Sequence, residues 1–115
     1  MSPSDTTARM LDELETHVLL VLADGDLHGY AIAKKMETRG GPAIYPANLY
    51  RHLNALAADG LIEALPPQID ESGRARKAFR MTAAGREAVR EHGQRLRALV
   101  EAIESSDLQT ESRSK

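Results

Sequence analysis

The sequence predicts a mainly α-helical chain that carries one small β-hairpin. Apolar residues recur at helical spacing in four segments of the 115 residues, and two short strand-like runs flank a loop punctuated by proline and glycine. A chain of this length forms one domain with a modest core, so we expect it to gain stability by dimerising.

The first helix is predicted to begin near Thr6 or Thr7, because either side chain can cap a helix. Residues 1–7 before it are expected to be disordered, and the Asp-Gly-Asp run at 24–26 is expected to end the helix. Its apolar stripe consists of Leu11, Leu14, Val18, Val21 and Leu22.

The second and third helices are predicted over residues 29–37 and 46–59. In the second helix the residues expected to face inward are Tyr30, Ile32, Ala33 and Met36. Pro46 just inside the start and Gly60 just past the end mark the third helix. Its buried stripe is Leu49, Leu53 and Leu56, and its outer face carries Ala47, Asn48, Arg51, Asn54 and Ala58.

The rest of the chain is predicted to form two strands and a last helix. The strands cover residues 61–65 and 77–81, and residues 66–76 form a long hairpin loop between them. Thr82 then caps a helix that continues to about Ser105. This order is that of a winged helix-turn-helix domain over residues 8–82, a C-terminal dimerisation helix over 83–105 and a disordered tail over 106–115. Another small α+β fold is the alternative.

Charge is distributed unevenly, although the net charge is only −2. Residues 1–27 hold one base and six acids, residues 28–80 hold eight bases and five acids, and residues 81–115 hold six of each. The basic middle of the chain is typical of a nucleic-acid binder.

Several classes of protein are disfavoured by what the sequence lacks. There is no cysteine, the four histidines show no metal-ligand spacing, and no glycine-rich phosphate loop follows a strand. We therefore expect no enzyme activity, no cofactor and no metal site. The longest apolar run is too short to cross a bilayer, so we expect a soluble cytoplasmic protein.

Motifs over about residues 11–90 resemble the PadR family of bacterial transcriptional regulators. They are Leu-His-Gly-Tyr at 27–30, Leu-Tyr-Arg at 49–51, Asp-Gly-Leu-Ile at 59–62, Arg-Lys-Ala-Phe-Arg-Met-Thr at 76–82 and Ala-Gly-Arg at 84–86. The resemblance implies a winged-helix homodimer, held through the last helix and part of the first, that represses genes. It also implies that some members release DNA when a small molecule binds, so an effector of unidentified chemistry is left open.

Two positions depart from the family pattern. Tyr45 precedes the third helix where the family has serine or threonine, so a side-chain cap is missing. Ala78 stands where the second wing strand often has another aromatic residue, so we expect fewer packing contacts under the wing.

The outer face of the third helix and the basic wing are the candidate DNA contacts. Amide and guanidinium groups can read base edges in the major groove, while arginine and lysine neutralise phosphates. The candidates are Ala47, Asn48, Tyr50, Arg51, Asn54, Arg74, Arg76, Lys77 and Lys34. The competing interpretation of both surfaces is an ordinary solvated face. Strand alternation also predicts that the wing cations cannot all point to DNA together.

A coiled-coil spacing in the last helix predicts a dimer seam. The candidate interface residues are Leu11, Leu14, Val89, His92, Leu96, Leu99, Val100 and Ile103. The same stripe can also pack on the first helix of its own chain. The sequence thus favours a homodimeric transcriptional repressor that binds double-stranded DNA at an inverted-repeat operator. The alternative is a winged-helix module that binds another protein instead of DNA.

Overall fold

The computed structural model describes residues 10–106 and 108. Within them four helices are α1 (Glu13–Leu22), α2 (Gly29–Thr38), α3 (Pro46–Ala58) and α4 (Ala83–Glu104). Five strands are β1 (Leu27–His28), β2 (Ile62–Ala64), β3 (Gln68–Ile69), β4 (Ala75–Arg76) and β5 (Ala78–Met81). The fold class predicted from the sequence, a winged helix-turn-helix followed by a long C-terminal helix, is confirmed.

The start of α1 differs from the prediction. Asp12 caps the helix, and its carboxylate accepts a hydrogen bond from the Glu15 N–H at 2.7 Å while the Glu15 carboxylate accepts from the Asp12 N–H at 3.1 Å. This reciprocal pair is a capping box, which satisfies two N–H groups at once. The predicted start at Thr6 or Thr7 is therefore wrong. The expectation of disorder for residues 1–7 lies outside the described residues.

The sheet contains one strand that the sequence analysis missed. β5 lies in the middle of three antiparallel strands and pairs with β1 through Leu27 and Phe79 and with β2 through Ile62 and Met81. β1 has only two residues, too few for an alternating pattern to be visible. The predicted strands at 61–65 and 77–81 are present in shortened form.

The wing, defined here as residues 66–77, is also more regular than predicted. β3 and β4 pair in it as a separate two-stranded ladder, with Gln68 opposite Arg76 and Ile69 opposite Ala75. The predicted hairpin loop therefore carries its own short strands. Gly73 turns the chain at the tip with a positive φ of 85°, a conformation that glycine adopts without steric cost.

A single apolar core lies between the helices and the sheet. Its fully buried members include Leu19, Ile32, Met36, Leu49, Leu53, Leu56, Leu61 and Phe79. The predicted stripe of α3 is therefore confirmed, because its three leucines all lie in this core. The outward side of α3 is left free of core contacts.

One threonine joins the end of α3 to the start of α4. The Thr82 hydroxyl donates to the Gly60 carbonyl at 2.6 Å and accepts from the Gly85 N–H at 3.1 Å. The Thr82 N–H donates to the Leu61 carbonyl at 3.1 Å. The predicted cap is thus confirmed, and it also ties the two helices together. No helix among the described residues is long and apolar enough to cross a membrane.

Candidate nucleic-acid interface

The outer face of α3 presents polar side chains in helical register. Asn48, Arg51 and Asn54 are all exposed, as is Ala47. Arg51 Nη2 lies 3.4 Å from Asn48 Oδ1, so the two side chains point in one direction from adjacent turns. Amide and guanidinium groups placed in this way match the donor and acceptor pattern of base edges.

The start of α3 has no side-chain cap, as the sequence predicted from Tyr45. The Tyr45 side chain makes no capping hydrogen bond, and Pro46 occupies the first turn of the helix. A helix N-terminus carries a partial positive charge from its unsatisfied N–H groups. With residues 45–48 all exposed, this end of α3 is accessible to a phosphate.

The Tyr50 ring joins α3 to two other elements of the domain. Its ring packs against the Phe79 ring with centroids 6.3 Å apart and an interplanar angle of 56°. The same ring lies against Gly29 at the start of α2, where a Cβ would overlap the Tyr50 hydroxyl. Tyr50 is still partly exposed, so it lies at the edge of the outer face.

The expectation that Tyr30 faces inward is wrong. Its side chain is 59% exposed, and Lys34 Nζ lies 6.0 Å from the centre of its ring. Residues four apart share a helix face, so Tyr30 belongs with the exposed Lys34 and not with the buried Ile32. The outer side of α2 therefore presents an aromatic ring and a cation that the sequence analysis did not combine.

An open pocket of about 290 Å³ lies between α2, α3 and the wing. It is lined by His28, Tyr30, Tyr50, Arg74, Ala75, Arg76 and Lys77. Three predicted wing cations thus meet Tyr50 in one place, together with two residues, His28 and Tyr30, that the sequence analysis did not assign. Their separation along the chain hides this grouping from sequence inspection.

Asp70 organises the tip of the wing. Its carboxylate accepts hydrogen bonds from the Ser72 hydroxyl at 2.7 Å, from Arg76 Nε at 2.5 Å and from the Arg74 N–H at 3.0 Å. These donors, led by Ser72 and Arg76, hold the pKa of Asp70 well below its ordinary value of 3.8. Asp70 therefore stays ionised and holds Arg76, whereas no described carboxylate forms an ion pair with Arg74 or Lys77.

Arg80, on β5, lies apart from the wing cations. Arg80 Nη2 is 3.2 Å from Asp26 Oδ2, and its Nε lies 3.4 Å from the other oxygen of the same carboxylate. This hydrogen bonding raises the pKa of Arg80. Strand alternation predicted that the cations around the hairpin cannot all point the same way. Arg80 points towards Asp26, in the turn before β1.

The proposed dimer seam divides into two parts. Val89 and His92 are partly buried in the first half of α4, where the helix packs on α1. In the second half, Leu96 is 46% exposed and Leu99 57% exposed, and Val100 and Ile103 are similarly open. Leu11 differs from its assignment, because it is only 5% exposed and lies in the core of its own chain, whereas Leu14 is half-buried at the core edge.

Two nitrogens of α4 are buried without a hydrogen-bond partner among the described residues. They are Nδ1 of His92 and Nε of Arg95, at the point where the helix leaves the body of the domain. Nearby, a pocket of about 470 Å³ lies between α1 and α4 and is lined by Leu11, Glu13, Thr16, His17, His92 and Leu96. This end of the molecule therefore combines apolar surface with unsatisfied polar atoms.

Comparison with known proteins shows which family this chain is similar to. The sequence profile described as the transcriptional regulator PadR-like family matches residues 18–91. The transcriptional regulator Rv3488 of Mycobacterium tuberculosis is 36% identical over 87 residues, which cover 76% of this chain and 78% of that protein.

Solved structures agree with that match. A PadR family transcriptional regulator from Eggerthella lenta is 29% identical with a TM-score of 0.66, covering 79% of this chain and 82% of its own. Bacillus subtilis PadR, solved in complex with operator DNA, is 20% identical with a TM-score of 0.63, covering 72% of this chain and 46% of its own. This last likeness shows the fold alone.

Proposed function

Because the chain belongs to the PadR-like family of transcriptional regulators, and is therefore not an enzyme, we propose that it represses transcription as a homodimer bound to an inverted-repeat operator. It would do so in the cytoplasm, where the DNA of a bacterial cell lies. One observation carries the proposal: the polar outer face of α3 and the cationic pocket of the wing lie side by side and both are open to solvent.

The two surfaces suit different parts of DNA. Asn48, Arg51 and Asn54 have the hydrogen-bonding groups that read bases in the major groove. Arg74 and Lys77 have the charge that neutralises phosphates, with Lys34 on α2 as a further cation at the edge of the same surface. A neutral or acidic wing beside an apolar α3 face would have favoured the alternative, a protein-binding module, and the described residues present neither.

The exposed second half of α4 supports the proposal of a homodimer. Leu96, Leu99, Val100 and Ile103 form an apolar stripe that its own chain leaves open, and exposed patches of this kind mark association surfaces. A second copy of the same stripe is self-complementary, as a two-fold dimer requires. Such a dimer would place two α3 helices in successive major grooves, about one helical turn apart.

A pocket suited to a small-molecule effector lies beside the proposed dimer stripe. The pocket between α1 and α4 has a volume within the range of roughly 300–1,000 Å³ that ligand sites occupy. It adjoins Leu96 of the proposed dimer stripe, so a ligand there could change how two copies meet.

Fluorescence anisotropy tests the proposal. The purified protein is titrated onto labelled DNA from upstream of its own gene, with shuffled DNA of the same composition as control, at several salt concentrations. We expect tighter binding to the upstream DNA and an affinity that falls as salt rises. Weak, equal and salt-insensitive binding to both DNAs would contradict DNA recognition by this surface.

A further inference from the structure

Two carboxylates and one imidazole meet where the first turn of α1 lies beside α3. Asp12 and Glu15 come from the N-terminal end of α1, and His52 comes from the middle of α3. One ligand atom from each of the three side chains lies within 4.8 Å of the other two. Glu15 is 7% exposed and His52 is half-buried, whereas Asp12 is open to solvent.

This donor set matches the ligand preferences of divalent transition-metal cations. Imidazole nitrogen and carboxylate oxygen bind Zn²⁺ at distances of about 2.0–2.2 Å. Magnesium and calcium prefer oxygen ligands throughout, so the presence of His52 favours a cation such as Zn²⁺.

The capping box prepares the two carboxylates and leaves them able to bind a cation. Asp12 Oδ1 accepts from the Glu15 N–H, and Glu15 Oε1 accepts from the Asp12 N–H, so both side chains are already held in fixed orientations. An ionised carboxylate has two oxygens with about four acceptor positions, so a carboxylate that caps a helix can also bind a cation. The entropic cost of arranging these ligands is therefore partly met by folding.

His52 is the independent element of the site. It comes from a different helix, 37 positions after Glu15 along the chain, and adds a ligand type that neither the acidic pair nor the helix end supplies. Burial of Glu15 lowers the local dielectric, which strengthens the attraction between its carboxylate and a cation. No spacing motif could reveal this group, which explains why the sequence analysis expected no metal site.

We propose that Asp12, Glu15 and His52 form a binding site for one divalent transition-metal cation, with Zn²⁺ as the probe. Water completes the coordination on the exposed side of Asp12. The bound ion joins the first turn of α1 to α3, so it stabilises the folded chain. This proposal stands on the geometry of the three side chains and does not depend on DNA binding.

Isothermal titration of Zn²⁺ into the metal-free full-length protein tests the site. The variants Asp12→Asn and Glu15→Gln keep side chains that support the capping box while they remove the charge. His52→Gln removes the imidazole and keeps a polar group of similar size. His28→Gln is the matched control, because it removes a histidine of comparable burial outside the group.

We expect the wild type and His28→Gln to bind one Zn²⁺ per chain with equal affinity. Asp12→Asn and His52→Gln should each bind at least about tenfold more weakly, since each removes one of three protein ligands. Thermal unfolding gives a second readout, in which Zn²⁺ raises the Tm of the wild type more than that of these variants. Absence of Zn²⁺ binding by the wild type, or wild-type affinity in both ligand variants, would overturn the proposal.

Discussion

The Tyr50 ring lies against the backbone of Gly29, so close that a Cβ on Gly29 would overlap the Tyr50 hydroxyl and ring. The contact joins the start of α2 to the helix that carries the candidate base-reading residues. It holds Tyr50 in the position where its ring also packs on Phe79.

Gly29→Ala should therefore destabilise the chain through Tyr50. We expect a loss of about 1 kcal/mol in the free energy of unfolding, the lower end of the cost of overpacking, because the partly exposed Tyr50 ring can move away from the added methyl group. Urea denaturation measures it, and the double variant with Tyr50→Ala is the control. The cost of Gly29→Ala should shrink in that background. An equal cost in both backgrounds would show that Tyr50 is not the obstacle.

Arg51→Ala should weaken binding to the specific operator. Loss of a side chain that reads a base costs roughly 1–3 kcal/mol, or about 5- to 150-fold in Kd. Arg86→Ala is the control, because Arg86 is an exposed arginine on α4 outside the interface surface. Anisotropy on specific and shuffled DNA gives both affinities. If Arg51→Ala lowers them by the same factor, Arg51 contacts only the DNA backbone.

The double variant Arg74→Ala with Lys77→Ala should flatten the salt dependence of DNA binding. Each phosphate contact contributes about 0.9 to the slope of log K against log salt, so we expect a decrease of about 1–2. Arg80→Ala should leave the slope unchanged because Arg80 is bound to Asp26. Equal slopes in the wild type and the double variant would exclude these two side chains from phosphate contact.

Leu96→Glu with Leu99→Glu should convert the proposed homodimer to a monomer. In a two-fold dimer the introduced carboxylates of one chain would lie against those of the other inside an apolar interface, with no opposite charge to neutralise them. Sedimentation velocity gives the mass of each species, and Gln94→Glu adds a charge on the opposite side of α4 as control. A double variant that still sediments as a dimer would place the interface elsewhere.

Loss of the Asp70 carboxylate should loosen the wing. Because its pKa in the folded chain is lowered, its stabilising contribution is complete above the ordinary value of 3.8 and is lost only as pH falls below it. Asp70→Ala should speed the amide hydrogen exchange of Ser72 and Arg74 at neutral pH, since both N–H groups donate to Asp70. Glu71→Ala is the control, and unchanged exchange in Asp70→Ala would contradict the assigned role.

Long helices and their buried faces could be predicted because their signals are local. The leucines of α3 recur at helical spacing, and Pro46 and Gly60 mark its limits. The same reasoning could have placed Tyr30 correctly, because it lies four residues before Lys34 and two before Ile32. Two residues along a helix turn the side chain by about 200°, so Tyr30 and Ile32 cannot share a buried face.

The missed features depend on contacts between distant segments. Strand β1 exists because Leu27 pairs with Phe79, more than fifty positions away. The start of α1 was misplaced because threonines at 6 and 7 and Asp12 are all acceptable caps, and only the observed pair with Glu15 distinguishes them. Arg76 was assigned to DNA without its pairing to Asp70, because a carboxylate six positions away gives no local signal.

The link made by Thr82 has a mechanical consequence. Its hydroxyl and N–H hold the residues after α3, and Gly85 of α4 packs closely on the Leu61 carbonyl. The start of the long helix is therefore anchored to the segment that follows α3, and the rest of the helix extends from it as a lever arm. In a homodimer, the angle at which two such levers cross would set the distance between the two α3 helices, with no rearrangement inside either chain.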